Sequence, residues 1–166
     1  GCLSGTYARD KDAVVASMIF AEMICYYDSI GKRVYDVLQD IYKQFGYFVE
    51  KAKSITFGGL DGMQKMADIM SEIRSTSFSE IAGTKVLAQS DFVTRKKTYA
   101  DGKAEDITLP KTNAFKIHLD NGDWICVRPS GTEPKLKFYV ATSKPTQDAA
   151  TALAYSYLAY MENLVK

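Results

Sequence analysis

A chain of 166 residues, 46% of them hydrophobic and 25% charged, is long enough for one domain with a buried core, or for a small domain joined to part of another. The 21 basic residues nearly balance the 20 acidic ones, which gives a formal net charge of +1. No long-range field would therefore draw the whole molecule to nucleic acid or to an anionic membrane. This composition excludes a disordered chain, and it confines any recognition of anions to a local site.

The cysteines and the most apolar stretch of the sequence indicate the cellular compartment of the protein. Cys2, Cys25 and Cys126 are odd in number, widely spaced, and lack the patterns of a zinc site or a disulfide framework. Residues 13–27 are interrupted by Glu22 and are too short to span a bilayer, and no basic, apolar leader precedes them. We expect reduced thiols, no metal site in this chain, no membrane partner and a cytoplasmic location.

The first 46 residues predict two helices. Apolar side chains cover most of a helix over residues 13–27, which predicts a deeply buried element. A second helix follows Ser29 and ends at Gly46, which can cap it in a left-handed conformation. Two helices cannot cover this much apolar surface between them, so we expect their packing partner to precede them in a longer protein.

Residues 47–57 have an extended pattern and lead into a glycine-rich stretch that contains Gly58, Gly59 and Gly62. We interpret this segment as a linker or as the entry to a domain, with a domain boundary near residue 50 and a flexible hinge over residues 47–59.

The rest of the chain predicts a helix, four strands and a final helix. The first of these helices follows Gly62 and uses methionines as core residues, and the last begins near Pro145. The Asn121-Gly122 pair predicts a two-residue hairpin turn. This order indicates an α+β fold: an antiparallel four-stranded sheet with helices packed on one face, preceded by a helical hairpin from an incomplete α/β domain. The strands are predicted at residues 86–94, 114–119, 124–127 and 135–142.

Residues 128–134, Arg-Pro-Ser-Gly-Thr-Glu-Pro, connect the last two predicted strands and could bind phosphate. Arg128 offers a planar fork of charged donors, and Ser130 and Thr132 offer hydroxyls. Gly131 permits a positive φ and a concave nest of amides, and Lys137 on the next strand could point to the same side. The same residue types also build ordinary strand connections, so the residues alone leave both interpretations open.

Two other polar features have simpler interpretations. His118 is the only histidine and has no evident carboxylate or cysteine partner, which favours a surface or edge position over a catalytic one. The basic run at residues 95–97 indicates a solvated loop or strand edge, and it is the main support for a third hypothesis, a protein or RNA interaction domain.

Three strings resemble one enzyme family. Residues 128–140, RPSGTEPKLKFYV, resemble the phosphate-binding signature in the last domain of phosphoglucomutases and phosphomannomutases. Residues 5–23, GTYARDKDAVVASMIFAEM, resemble the end of the third domain, and residues 57–66, FGGLDGMQKM, resemble the linker. The chain is thus similar, over nearly its whole length, to the C-terminal portion of the alpha-D-phosphohexomutase family.

The resemblance implies a four-domain isomerase that interconverts hexose 1-phosphate and hexose 6-phosphate through a hexose 1,6-bisphosphate, using a phosphoserine and Mg2+. Residues 1–50 would be the remnant of the third domain, and residues 51–166 the phosphate-binding last domain. The partners would be a hexose phosphate and the rest of the parent enzyme, with no nucleic acid. The phosphate that is not transferred would be held by Arg128, Ser130, Gly131 and Thr132, with Lys137 nearby, and Arg9 and Lys11 would be possible cleft contacts.

The chain lacks the family's phosphoserine loop and its Asp-rich metal site. We therefore expect no catalytic residue in this chain and no turnover by the chain alone. A stand-alone phosphosugar or anion-binding module is the alternative. The identity of the hexose is not encoded in these residues.

Overall fold

The computed structural model describes residues 3–6 and 10–165. The chain divides into two compact units, Gly1–Gly46 and Tyr47–Lys166. The division falls slightly before residue 50, because the segment after Gly46 pairs with the last strand of the second unit.

The first unit contains two helices, α1 (Ala13–Ser29) and α2 (Val34–Phe45). Asp12 caps α1, because its carboxylate accepts the N–H groups of Val14 and Val15 at 3.0 Å each. Gly46 ends α2 with a φ of +93°, and its N–H donates to the Tyr42 carbonyl at 2.8 Å.

The sequence predicted that α1 and α2 cannot cover their apolar surface between them, and the exposure of both helices agrees with that expectation. Among the described residues, α1 and α2 contain no buried position, and large apolar side chains such as Val14, Met18 and Tyr35 are more than 60% exposed. In the described part of the chain no single helix is long and apolar enough to cross a bilayer. Only α1 and α2 taken together have the required length and apolarity, and a bend of 88° separates them.

The second unit is built on an antiparallel sheet of eight strands, with the order β1-β8-β7-β6-β3-β4-β5 and β2 paired to β3. The α+β class and the antiparallel sheet are confirmed, and the predicted number of four strands is wrong. In chain order the elements are β1 (Tyr47–Thr56), α3 (Gly62–Ser75), β2 (Glu80–Ile81), β3 (Thr84–Asp91), β4 (Lys96–Tyr99), β5 (Ala104–Asp106), β6 (Phe115–Leu119), β7 (Trp124–Pro129), β8 (Lys135–Lys144) and α4 (Gln147–Leu164).

Residues 47–56 are extended as predicted, and they form β1 at the start of the second unit, which agrees with a domain entry and not with a linker. All ten residues of β1 pair with β8, from Tyr47 opposite Lys144 to Thr56 opposite Lys135. Val49 and Ile55 pack against the core from this strand. The glycines that suggested a linker lie after the strand, in the short connection to α3.

The core lies between one face of the sheet and the helices α3 and α4. Alternate residues of the central strands point into it, because successive side chains of a strand point to opposite faces. Their partners from the helices include two of the predicted core methionines, Met66 and Met70, and also Tyr157; Met63 is 48% exposed. The fully buried strand residues include Ile117, Ile125, Val127, Leu136 and Phe138.

A hairpin joins β6 to β7 as predicted, but its loop differs. The Leu119 N–H donates to the Asp123 carbonyl at 3.0 Å, so the loop has three residues instead of two. Gly122 has a φ of +87°, whereas Asn121 is not in the left-handed region that a two-residue Asn-Gly turn requires. The buried Asp123 carboxylate ties the hairpin to β8 and α4 by accepting the Ser143 N–H at 3.0 Å and the Tyr157 hydroxyl at 3.1 Å.

Candidate functional site

One face of the sheet packs against α3 and α4, and we call the opposite face the open face. On β7 the buried residues Ile125 and Val127 alternate with Cys126 and Arg128, which therefore belong to the open face. On β8 the same alternation assigns Lys137 and Tyr139 to the open face. The strand pattern thus separates the core residues from the residues that can meet a ligand.

Arg128 and Lys137 are direct cross-strand partners on the open face. Arg128 is exposed and Lys137 half-buried, and neither forms a hydrogen bond or ion pair through its side chain within the described residues. Like charges directly opposite each other destabilise a sheet. An anion between the two side chains would remove this repulsion.

The segment 130–134, between β7 and β8, is closed by two backbone hydrogen bonds. The Ser130 N–H donates to the Lys135 carbonyl at 2.8 Å, and the Lys135 N–H donates to the Glu133 carbonyl at 2.7 Å. Within the described residues, the amides of Gly131, Thr132 and Glu133 have no hydrogen-bond partner. Three successive donors therefore remain available at the tip of the loop.

The hydroxyl groups of the loop are also free. The side chains of Ser130, which is half-buried, and Thr132, which is exposed, form no hydrogen bond in the part of the chain that the structure describes. Glu133 is the only acidic residue of the loop, and its carboxylate lies 3.1 Å from the Lys135 ammonium, which offsets its charge.

Gly131 does not have the positive φ that the sequence suggested, since its φ lies outside the left-handed region. A Cβ at this position would meet no atom of the protein within 4 Å. The packing of the chain itself therefore does not require a glycine at position 131.

The C-terminal side of the loop is fixed to the rest of the unit. The Phe57 N–H donates to the Pro134 carbonyl at 2.8 Å. At Gly62, the first residue of α3, a Cβ would lie 2.3 Å from the Phe57 carbonyl oxygen and 3.1 Å from the Pro134 Cβ. The close approach of these three segments holds the loop in place.

The two possible cleft contacts, Arg9 and Lys11, precede α1 in the sequence. Lys11 lies in the first unit, where its ammonium pairs with the Asp10 carboxylate at 3.0 Å. The Lys11 hydrogen bonds hold the pKa of Asp10 below its usual value. Arg9 lies outside the described residues.

A pocket beside Arg128 was not predicted. It is a cavity of about 390 Å3 on the open face. Lys116 lines the cavity, and its ammonium lies 4.4 Å from the centre of the Trp124 ring. The alternation of β6 and β7 was the available signal, because it assigns Lys116 to the same face as Arg128, but only the register makes them neighbours. The residues around the cavity include Phe92, Lys116, Trp124, Cys126, Arg128 and Tyr139.

The sequence favoured a surface or edge position for His118; β6 lies between β3 and β7, so His118 is not at a sheet edge, and it is half-buried. Its Nε2 is 3.0 Å from the hydroxyl of the buried Ser90. Burial, with smaller contributions from Lys116 and Lys97, lowers the pKa of His118 to about 4. A neutral imidazole with a serine partner and no carboxylate partner is a structural histidine.

A metal site of the usual protein type is not found among the described residues, which contain no group of three or more His, Cys, Asp or Glu side chains placed to hold an ion. The Mg2+ that the family resemblance implies has no set of ligands here, so no step of a mechanism is assigned to it in this chain.

Known proteins are similar to this chain in both sequence and fold. A sequence model described as "Phosphoglucomutase/phosphomannomutase, C-terminal domain" matches residues 79–155. A phosphoglucomutase of Staphylococcus epidermidis is 41% identical over 144 residues, which cover 86% of this chain and 26% of that protein. A phosphoglucomutase of Staphylococcus haemolyticus is 33% identical over 159 residues, which cover 95% of this chain and 29% of that protein.

A solved structure shares the fold. The open form of the exocytosis-sensitive phosphoprotein pp63/parafusin from Paramecium, a phosphoglucomutase, superimposes with a TM-score of 0.58 at 16% identity, covering 95% of this chain and 28% of that one. The present chain thus spans between a quarter and a third of the length of these relatives. The matched domain and the sequence relatives together show that the chain belongs to the phosphoglucomutase/phosphomannomutase family.

Proposed function

We propose that this chain is the phosphate-binding C-terminal portion of a phosphohexomutase. In the intact enzyme, which converts hexose 1-phosphate to hexose 6-phosphate, the loop of residues 128–134 holds the phosphate that is not being transferred. The phosphoserine and the Mg2+ site belong to other parts of that enzyme. Residues 1–50 are the end of its third domain and residues 51–166 its last domain.

The observation that carries the proposal is the unpaired cationic pair Arg128 and Lys137 beside a loop with free donors. A phosphate dianion placed here would accept hydrogen bonds from the Arg128 guanidinium and from amides of residues 131–133. The hydroxyls of Ser130 and Thr132 are also free to donate. Glu133 is the one carboxylate in the loop, and its ion pair with Lys135 offsets the charge that would repel a phosphate.

Holding one phosphate would contribute to catalysis by positioning. Phosphoryl transfer depends on the alignment of the reacting oxygens. A substrate that is fixed at its distant phosphate keeps its reacting oxygen aligned with the phosphoryl group. The backbone contacts of Phe57 and Gly62 with Pro134 give the loop a fixed starting geometry. Rigid support of this kind suits a positioning role.

Calorimetric titration with inorganic phosphate and with glucose 6-phosphate tests the proposal. We expect Arg128→Ala to weaken both affinities by about tenfold or more, because a charge-assisted hydrogen bond contributes about 1.5–3 kcal/mol. Arg33→Ala is the matched control, since Arg33 lies in the first unit and pairs with Asp36 at 2.7 Å. Equal affinities for the wild type and the Arg128 variant would refute the phosphate site.

The absence of catalysis in this chain is tested separately. A coupled assay for conversion of glucose 1-phosphate to glucose 6-phosphate should detect no turnover by the 166-residue chain. Turnover that persists after further purification would contradict the assignment of the chemistry to other domains.

A further inference from the structure

The strand β1 forms one edge of the sheet and is long for an edge strand. Its ten residues pair with β8 on one side, and among the described residues no strand pairs with its other side. The strand at the opposite edge, β5, has three residues. In antiparallel pairing, the backbone N–H and C=O groups of alternate residues point away from the neighbouring strand. The outer side of β1 therefore presents a row of donors and acceptors to an extended chain.

A groove of about 380 Å3 lies between β1 and α4. Because Val49 and Ile55 pack against the core, the odd-numbered residues of β1 lie on the side of α4. Tyr155 of α4 is 56% exposed at this groove. A side chain of an added strand that points towards α4 would enter the groove. The residues around the groove include Lys51, Lys53, Tyr155, Leu158, Ala159 and Glu162.

The two lysines of the groove differ in their partners. Lys53 forms an ion pair with Glu162 of α4, which is the one acidic residue around the groove. Lys51 is half-buried, and its ammonium lies 5.5 Å from the centre of the Tyr155 ring. Among the described residues this ammonium has no carboxylate partner. The groove therefore offers one free cation beside apolar side chains, which suits a carboxylate followed by an apolar group.

A second copy of β1 fits this edge poorly. Two copies that pair antiparallel about a two-fold axis keep each face of the sheet on its own side, so residues of the same parity meet. Every register that overlaps more than half of β1 then places Lys51 or Lys53 opposite a lysine, or Glu50 opposite Glu50. Like charges directly opposite each other destabilise a strand pair. The lysines that disfavour a second copy favour a partner strand with acidic residues.

We propose that the outer edge of β1 binds an extended acidic peptide of a partner protein as an added strand. A glutamate or aspartate of the peptide meets Lys51, and a neighbouring apolar side chain on the same side of the peptide fills the groove against Tyr155 and Leu158. The backbone hydrogen bonds of the added strand give affinity, and the groove gives specificity. This surface is separate from the proposed phosphate loop and does not depend on it.

The probe is a synthetic peptide as long as β1, with glutamate and phenylalanine at neighbouring positions of one side and threonine on the other side. We expect its addition to the isotope-labelled 166-residue chain to shift the NMR signals of the β1 amides and to slow their hydrogen exchange. The same peptide with N-methyl groups on the amides that face β1 cannot donate hydrogen bonds to the strand. We expect no binding of the N-methylated peptide.

Reversal of the charge at Lys51 tests the recognition of acidic residues. Lys51→Glu should weaken the glutamate peptide by about tenfold or more, because like charges then meet across the interface. A peptide with lysine in place of the glutamate should bind Lys51→Glu more tightly than it binds the wild type. Lys111→Glu is the matched control, since Lys111 is exposed and lies between β5 and β6, and it should leave the affinity for the glutamate peptide unchanged.

Three results would overturn the proposal. If the glutamate peptide leaves the β1 amides unchanged, or if the N-methylated peptide binds as tightly, no strand is added at this edge. Equal affinities of the wild type and Lys51→Glu would show that Lys51 does not select an acidic partner. If the β1 amides become protected when the concentration of the chain alone is raised, a second copy occupies the edge instead. The N-methylated peptide is tested on the wild type, so this comparison holds even if Lys51→Glu does not fold.

Discussion

At the scale of single residues, the candidate site depends on groups that the fold leaves unsatisfied. Arg128 and Lys137 face each other without a counter-ion, and the amides of residues 131–133 have no partner in the described chain. The loop is closed by other backbone hydrogen bonds, those of Ser130 with Lys135 and of Lys135 with Glu133, so these groups are not needed to hold it. The concentration of free donors in one loop therefore points to a ligand rather than to the stability of the domain.

Gly131 provides a direct test of this distinction. Because a Cβ there meets nothing within 4 Å and the φ is not positive, Gly131→Ala should change the free energy of unfolding by less than about 0.5 kcal/mol. A phosphate that approaches the backbone would meet the new methyl group, so its affinity should fall by about tenfold. Urea unfolding and phosphate titration measure the two effects.

Gly58→Ala is the control for this prediction, since Gly58 also has open space around its Cβ position and no positive φ, and it lies outside the loop. Gly58→Ala should change neither the free energy of unfolding nor the affinity for phosphate. A Gly131 variant that binds phosphate as tightly as the wild type would mean that the ligand does not contact this backbone.

The pKa of His118 predicts how stability responds to acid. Its folded value of about 4 is below the value of about 6.5 in an unfolded chain, so the unfolded state binds the proton more readily. The contribution of the neutral imidazole is complete above pH 6.5 and is lost as the pH falls from 6.5 towards 4. Replacement by Gln should remove this part of the pH dependence.

The measurement is direct because the chain has one histidine. An NMR titration of the His118 ring protons should give a midpoint below 5 in the folded state, and urea unfolding at pH 5 and pH 7.5 should show a smaller difference for His118→Gln than for the wild type. A midpoint near 6.5 would show that the ring is not shielded from solvent.

The residue types of the site could be predicted from the sequence, but their surroundings could not. Alternation along β7 and β8 assigned Lys137 to a defined side of its strand, and the fold pairs it with Arg128 on the open face. The pocket next to Arg128 depends on Lys116, which is brought there by the β6–β7 register. Register results from the packing of the whole sheet, so local pattern does not reveal such a neighbour.

At the scale of elements, the two edge strands are weakly patterned: the sequence predicted β1 only as an extended segment and missed β5. β1 is an edge strand with exposed polar residues on one side, and all three residues of β5, the other edge, are exposed. Edge strands bury little and commonly carry charges that prevent further pairing, so their hydrophobic pattern is weak. The central strands β6, β7 and β8 bury alternate residues fully, and all three were predicted.

The start of α3 lies close to the loop of residues 128–134. Gly62→Ala would place a Cβ 2.3 Å from the Phe57 carbonyl oxygen, so the backbone must shift. We expect a loss of about 1–3 kcal/mol in unfolding free energy, typical of overpacking, together with weaker phosphate binding as Pro134 moves. Urea unfolding and phosphate titration, with Gly58→Ala as the control, would measure both.

Gly62→Ala can change the free energy of unfolding and the phosphate affinity to different extents, and comparing the two changes shows whether the loop depends on α3. Destabilisation without loss of affinity would show that the loop keeps its geometry when α3 moves. An unchanged stability would contradict the close backbone approach itself.

At the scale of the whole molecule, the two units differ in how they cover apolar surface. The second unit, Tyr47–Lys166, has a continuous core between the sheet and two helices. The first unit contains two helices in which no described residue is buried. Patches of this kind on a protein surface are normally interaction sites or sites of aggregation.

We therefore expect the 166-residue chain to associate with itself, and residues 47–166 alone to remain monomeric. Exposed apolar side chains on α1, such as Met18, Ile19 and Phe20, give association a hydrophobic driving force of roughly 25 cal/mol for each Å2 that is covered. Sedimentation equilibrium of both chains over a range of concentrations measures this difference. Replacing Met18 and Phe20 by Gln should shift the full chain towards the monomer, whereas replacing Leu87, an exposed residue of the second unit, should not. If the full chain stays monomeric at high concentration, the apolar side chains of α1 and α2 must be buried against other residues of the same chain.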